Sequence, residues 1–464
     1  MKKTFVSMSL AGVLAFGAVH APALAQPKEA PKLEALHGLE NSLIKKISAE
    51  KIYQSITDLS QSPRVAGTAS EDQAVEYIKR KFESYGYKTE IQPFTFYGYT
   101  PPEKIELTVQ GAEVSLSPAP FTYTVNGNVT AELAEAGLGT KEDAAAADLD
   151  GKIALIQRGE ISFAEKVLNA AEQGAAGVLI YNNADGPLSG TLGEANEDYI
   201  PAAALSKAEG VSLSARLKAG GTVTANLVIE GADAGEKTSH NVIAVKKPTN
   251  KKKDTGEVIV LGAHHDSVAG APGANDDASG TAMTLELARV FKNIPTDSEI
   301  RFVTFGAEEL GLLGSRHYVE NLSDKEQDSI IANFNLDMVG SRDAGDLVML
   351  TADGEPNLVT ELAQKSSLKL NGAATPYGQG GRSDHVPFAE AGIPAALFIH
   401  SPSEPWYHTP EDTIDKISKD KLQDTAEIVG SAIYDQAKFD RKLPKPKKGK
   451  KHKTPHLYQE QEVK

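Results

Sequence analysis

Two histidines and three aspartates crowd into one stretch: His264, His265 and Asp266, then Asp276 and Asp277 ten residues on. Further groups of the same kind recur downstream as Glu308-Glu309, Asp337 and Tyr407-His408. Imidazole nitrogen and carboxylate oxygen are donors that suit Zn2+, and Mn2+ or Co2+ accept the same set. Taken singly, such a residue is more often a solvated loop group than a ligand. Together, at one edge of a sheet, these carboxylates would repel one another strongly unless cationic charge sat among them. A pair of divalent metal ions is the simplest neutraliser.

The elements that must position these groups follow from the apolar pattern. His264 comes directly after the run Val258-Ile259-Val260-Leu261, which predicts a buried strand over Glu257 to Ala263. Polar groups at the carboxyl ends of such strands are where open α/β sheets hold ligands. Strands are likewise expected at Asn241 to Val245, Glu299 to Phe305, Ile331 to Leu336, Asp346 to Thr351 and Pro394 to Ile399. Helices are expected between them at Ser279 to Asn293, Leu310 to Glu320 and Pro356 to Ser366, with a closing helix at Lys419 to Phe439. This alternation predicts a three-layer α/β/α sandwich with a central mixed sheet. Upstream, a charged lead-in helix over Lys28 to Glu50 precedes a turn-rich loop, Pro63 to Thr68. A helix from Ser70 with Ser70/Gln73 capping-box spacing and a strand over Tyr87 to Phe96 follow.

Between about Pro118 and Glu230 the character changes. Short β-like runs at Phe121 to Val125, Lys152 to Gln157, Gly177 to Tyr181 and Thr222 to Ile229 surround one helix, and histidine is missing. That helix is marked by a Ser162/Glu165 capping box and a Gly174 stop, while the Ala-rich Glu142 to Ala147 stretch looks like a surface excursion. With no metal-capable cluster of its own, this region is expected to be an insert, smaller and β-rich. Its run from Gly151 to Gly159 and on through Gly177 to Asn183 resembles the protease-associated domain of secreted peptidases. Arg158 and Asn182 there serve either to bond loop carbonyls or to contact substrate.

The motifs Gly262-Ala263-His264-His265-Asp266-Ser267, Gly273-Ala274-Asn275-Asp276-Asp277-Ala278-Ser279-Gly280, Gly306-Ala307-Glu308-Glu309-Leu310-Gly311, Asn335-Leu336-Asp337-Met338-Val339-Gly340 and Tyr407-His408-Thr409 resemble, in this order, those of secreted dinuclear zinc aminopeptidases of the leucyl or arginyl type. The resemblance implies that His264 and Asp337 hold one zinc, Glu309 and His408 the other, and that Asp276 bridges. It further implies Glu308 as the general base acting on a metal-bridged hydroxide, Tyr407 as a donor to the developing oxyanion, and a cis peptide between Asp276 and Asp277. Asp266 matches the carboxylate that orients the ring of His264. Gly380-Gly381-Arg382-Ser383-Asp384-His385 is similar to a substrate-side loop, in which Arg382 helps fix the substrate's amino-terminal end. His265, His317, His385 and His400 are expected to be structural. The implied partners are peptide or protein N-termini, and the implied reaction is release of the first amino acid. A zinc carboxypeptidase or dipeptidase on the same scaffold is the alternative, with a single-zinc glutaminyl cyclase as a further one. From a different class comes a non-catalytic, receptor-like binding protein, which the filled ligand positions disfavour.

Composition bounds the rest. The 464 residues, 40% hydrophobic and 24% charged, suffice for two or three domains. A net charge of −15 argues against nucleic acid as a main partner. Cysteine is absent, which removes disulfides, thiolate metal sites and cysteine nucleophiles. Lys2 and Lys3, an apolar run from Phe5 to Ala18, and Ala23-Leu24-Ala25 predict a signal peptide cleaved after Ala25 and a secreted protein with no membrane span. The expected organisation is a signal peptide at 1–25, a first peptidase part at 26–117, the protease-associated insert at 118–230, and the second peptidase part with the metal site at 231–440. A basic tail follows at 441–464, carrying nine Lys or Arg against two Glu. Such a tail is expected to be disordered and solvated, the alternative being weak contact with an anionic cell wall.

Overall fold

The computed structural model describes residues 38–111 and 116–438. The signal peptide and the basic tail expected from the sequence lie outside the described residues, as does the part of the lead-in helix before Gly38. The chain divides into two compact units. One takes in residues up to Arg64, Gln73–Gln92 and His240 onward, and the other takes in Val65–Asp72 and Pro93–Ser239.

Eight strands form the larger sheet: β1 (Thr89–Thr100), β2 (Asp233–Lys246), β3 (Val258–His264), β4 (Glu299–Phe305), β5 (Ile330–Leu336), β6 (Asp346–Thr351), β7 (Tyr377–Gln379) and β8 (Ala395–Ser401). Their order is β1-β2-β4-β3-β5-β8-β6-β7. The four central strands β4, β3, β5 and β8 run parallel, whereas β2 and β6 join them antiparallel. The sheet is therefore mixed, as expected. β3 lies between β4 and β5, so the chain leaves it first to one side and then to the other. That reversal opens a crevice at its carboxyl end.

Side chains of β3 alternate between two cores. Ile259, Leu261 and Ala263 pack with the helices α1 (Ala49–Leu59), α2 (Ala278–Phe291) and α4 (Lys419–Ala437). Val258 and Val260 pack with Val303, Phe305, Tyr318 of helix α3 (Leu313–Glu320) and Phe388. Helices thus cover both faces, which makes the sandwich three-layered and explains why β3 is continuously apolar. Met283, Leu287 and Phe291 of α2 are fully buried, each stabilising the fold by about 1.5–3 kcal/mol. Gly280 lets the first turn of α2 lie against the end of β5. A Cβ there would stand 2.4 Å from the Leu336 carbonyl oxygen.

The second unit holds a seven-stranded sheet in the order Lys104–Val109, Thr224–Glu230, Gly127–Glu135, Ile153–Gln157, Gly177–Tyr181, Ala202–Leu205 and Ala119–Pro120. Its helix Phe163–Glu172 carries the Ser162/Glu165 capping box in full. Lys104–Val109 precedes residue 118 yet belongs to this sheet, because it pairs antiparallel with Thr224–Glu230.

Four local expectations fail. Phe121 to Val125 is not a strand, since Tyr123 takes a left-handed φ of 70° and turns the chain. The single helix expected in the insert is joined by two more: Lys141–Ala146, capped by the Thr140 side chain within the surface stretch expected there, and Lys207–Lys218. The Ser70/Gln73 box does not form, because the helix starts at Ala69 and the Asp72 N–H bonds the Thr68 carbonyl. Helix α3 begins at Leu313 and not at Leu310, because Leu312 is left-handed at φ 65°.

Candidate metal centre

His264 is the last residue of β3 and is held there from both sides of its backbone. Its N–H donates to Asp277 Oδ2 at 3.2 Å, and its carbonyl accepts the Thr281 hydroxyl at 2.6 Å. The ring Nε2 then lies 3.2 Å from Asp276 Oδ1, 3.5 Å from Asp337 Oδ1 and 4.0 Å from Glu308 Oε2. On the other side of Asp276, His408 Nε2 stands 3.1 Å from Asp276 Oδ2 and 3.0 Å from Glu309 Oε2. All five residues expected to hold metal are thus gathered, with the two oxygens of Asp276 facing different imidazoles.

Each carboxylate owes its place to the end of an element. Asp337 follows β5, and its N–H bonds the Phe398 carbonyl of β8. Glu308 and Glu309 sit in the turn after β4, where Asp266 accepts their backbone N–H groups at 3.1 and 3.2 Å. Asp266 Oδ1 also lies 3.4 Å from His264 Nδ1, so one carboxylate stands beside the ring and fixes the turn bearing Glu308. Asp277 bonds Gly280 and Met338 N–H groups besides that of His264, joining β3, α2 and the end of β5. The Asp276–Asp277 peptide is cis, as expected. Ala307, Met338 and His408 all have left-handed φ values, 52°, 57° and 57°. For residues other than glycine this costs about 1–2 kcal/mol apiece, and it occurs here beside or at the clustered groups.

The electrostatics are those of a cluster short of positive charge. Burial, reinforced by Asp337, Asp384 and Asp266, pushes the Glu308 carboxyl well above its usual range despite His264. Burial and Asp276 lift Glu309 to about 7. Burial works against charge on His264 and His408, yet the acids raise both, His408 to about 10. Glu308, Glu309 and both imidazoles are thus driven to hold protons, whereas Asp276, despite its burial, is held below its usual range by His264 and His408. Glu309 Oε1 and Asp337 Oδ1 are buried without a protein hydrogen-bond partner. Two triads, His264/Asp276/Glu309 and His264/Glu308/Asp337, each bring ligand atoms within 4.8 Å of one another. Imidazole and carboxylate donors with free lone pairs at this spacing fit divalent cations.

A cleft of about 270 Å3 opens on this cluster. It is lined by the acids Asp276, Glu308, Glu309 and Asp337, by the apolar Met338, Leu397 and Ile399, and by Arg382, Ser383 and Tyr407. Arg382 is exposed. Tyr407 is 47% exposed and stacks on the His408 ring with centroids 3.8 Å apart, while Trp406 turns away to bond Asp343. His265 is fully buried beside the Thr304 hydroxyl, and His385 and His400 are buried and belong to neither triad.

Several residues that matter here carried no role in the sequence reading. Arg64 is buried, and its guanidinium donates to the carbonyls of Leu59, His265, Pro272 and Gly273, clamping both ends of the loop between His264 and Asp276. Gly273 permits that clamp, with φ +61° and an ideal Cβ position 2.3 Å from the Asp276 carbonyl oxygen. Asn275, Glu404 and Asp412 form a buried network around the segment that carries Asp276. Only the closeness of Glu404 and Asp412 to His408 in the chain hinted at them.

An α/β/α sandwich that carries such a cluster over the carboxyl ends of its parallel strands is the scaffold of a metal-dependent hydrolase. Residues 241–433 match peptidase family M28, and residues 125–213 match the PA domain. The aminopeptidase YwaD of Bacillus subtilis (strain 168) is 39% identical, over 99% of this chain and all of the relative. Among solved structures, an aminopeptidase from Aneurinibacillus sp. strain AM-1 is 55% identical, covering 86% of this chain and 96% of its own, with a TM-score of 0.62. BSAP, a zinc aminopeptidase from Bacillus subtilis, is 40% identical over 86% of this chain and 97% of its own, with a TM-score of 0.65. The chain belongs to peptidase family M28 and carries an inserted PA domain.

Proposed function

We propose that this chain is a secreted zinc aminopeptidase that releases amino acids from the N-termini of peptides. The observation that carries the reading is Asp276, whose two oxygens lie 3.2 and 3.1 Å from two different imidazoles. His264 and Asp337 would hold one zinc, Glu309 and His408 the other, with Asp276 shared. When bound, such a pair makes water nucleophilic near neutral pH and polarises a carbonyl. The aminopeptidase names of the relatives support the substrate class.

The chain's own groups supply the rest. The substrate's α-ammonium group docks among the acids of the cleft, by Glu308 and Asp337, and Arg382 on the rim helps fix the amino-terminal end. Glu308 takes a proton from the attacking water as its oxygen bonds to the scissile carbonyl carbon. It then passes that proton to the leaving nitrogen as the C–N bond breaks. The Tyr407 hydroxyl, kept protonated by burial and by the neighbouring Asp276 and Glu309, donates to the oxygen that gains charge. Export with cleavage after Ala25 and an insert spanning about 118–230 complete the reading. Salt-dependent release from cell walls, lost on deleting 441–464, would assign the basic tail to cell-wall contact, the alternative for that segment.

A panel of amino-acid anilides, assayed with and without chelator and then with zinc restored, tests the activity. Hydrolysis should vanish on chelation and return with zinc, and hydrolysis that survives exhaustive chelation would refute the reading. Arg382 gives a second reading some support, since an arginine at the rim could anchor a substrate carboxylate as in a carboxypeptidase or dipeptidase. Cleavage of an N-blocked dipeptide in preference to the anilides would favour it.

A further inference from the structure

The two imidazoles of the cluster are mounted differently. His264 ends a strand that is paired with β4 along its whole length and with β5 as far as Gly262, so the sheet itself fixes where the ring starts. His408 lies between β8 and the short 3-10 turn Ile414–Lys416, outside any helix or strand, and its side chain is 35% exposed. Its own backbone is left-handed, a conformation that a non-glycine residue holds only when its surroundings impose it. Something other than regular secondary structure must set that ring against Asp276.

Asp412, four residues further along the same loop, is the group that does so. It is 1% exposed, and both carboxylate oxygens are engaged by the segment that carries Asp276. Oδ1 accepts the Asn275 N–H at 2.8 Å, and Oδ2 accepts the Asp276 N–H at 3.1 Å. The Asp412 carbonyl accepts the Ala274 N–H at 3.2 Å, so three successive amides end on one residue. Within the loop, the Asp412 N–H bonds the Thr409 carbonyl and the Thr409 N–H bonds the Trp406 carbonyl, which relays the anchor back to His408. A second tie, Asn275 Nδ2 to Glu404 Oε1 at 2.7 Å, pins the start of the loop to the same segment. Hydrogen bonds to an ionised acceptor are shorter and about twice as strong as neutral ones, which suits a carboxylate to this joint.

We propose that Asp412 is a positioning residue that sets the His408 loop against Asp276, and so fixes the metal position shared by Glu309, His408 and Asp276 while leaving the His264/Asp337 position to the sheet. The inference rests on the two-zinc reading above. Asp412 touches neither substrate nor metal in it. Partners of this kind typically change metal affinity by about 10- to 100-fold.

The test is zinc binding by wild type, Asp412→Asn and His408→Ala at controlled free zinc, read as ions per chain and as the absorption spectrum of the cobalt-substituted protein. Asp412→Asn should keep one ion at wild-type affinity and bind the other about 10- to 100-fold more weakly. Excess zinc should restore part of its turnover but none of that of His408→Ala, because the ligand is displaced and not destroyed. Two ions at unchanged affinity, or equal weakening of both, would overturn the proposal. If wild type itself binds fewer than two ions, the two-zinc reading fails first, independently of Asp412. Should Asp412→Asn not fold, Asp412→Glu keeps the charge and both acceptors but shifts the loop, and the same selective loss is expected. Should neither fold, amide exchange in chelated wild type decides: protected amides at Asn275 and Asp276 support the joint, and free exchange there overturns it.

Discussion

Two regions of the peptidase unit hold histidines and treat them in opposite ways. At the carboxyl end of β3, the surrounding acids raise His264, and His408 reaches about 10, although burial alone would lower both. At His385 and His400 burial prevails, helped at His400 by Lys421, and both fall to about 4. The residue type is the same, so the difference comes from the neighbours. Where several carboxylates converge on an imidazole, the fold has assembled a binding site for positive charge. Where they do not, it has buried a neutral ring as packing.

The contrast can be broken most severely at Glu308, which lies among the acids without being one of the five proposed ligands. Glu308→Gln should lower kcat by about 10²–10⁴-fold with zinc content unchanged, measured by anilide turnover beside metal analysis. Activity near wild type would remove Glu308 as the base.

The packed histidines allow a test in the other direction. For His400 the folded pKa of about 4 lies below the ordinary 6.5, so the unfolded chain binds more protons in between. Its contribution is fully present above about pH 6.5 and is lost as pH falls through 4. Urea unfolding over that window should therefore be less pH-dependent in His400→Gln than in wild type, by up to about 3 kcal/mol. Identical slopes would mean that His400 is not held neutral.

A smaller effect is expected at the exposed edge of the acidic region. Tyr407→Phe keeps the ring stacked on His408 but removes the hydroxyl, and kcat should fall by about 10²-fold with KM little changed. A change confined to KM would make Tyr407 a substrate contact only.

How much of this was legible beforehand follows from what each residue bonds to. His264, Glu308, Glu309 and Asp337 stood out because ionisable groups close behind apolar runs break the pattern of a buried strand, whereas Asp276 and His408 stood out through the motifs Gly273 to Gly280 and Tyr407 to Thr409. The alternation of those runs also showed the three layers and the mixed sheet. Arg64 and Asp412 did not stand out, because their partners are backbone carbonyls and amides, which every sequence contains. The late start of α3 was hidden for a related reason. Leu312 has good helix propensity, and its left-handed turn is closed by backbone bonds, Leu313 N–H to the Ala307 carbonyl and Gly314 N–H to the Gly306 carbonyl.

The most direct measurement of the central claim is anomalous scattering at the zinc edge from crystals of the zinc-loaded protein. Two peaks are predicted, one by His264 and Asp337 and the other by Glu309 and His408, with the Asp276 carboxylate between them. One peak, or a pair elsewhere in the chain, would contradict it.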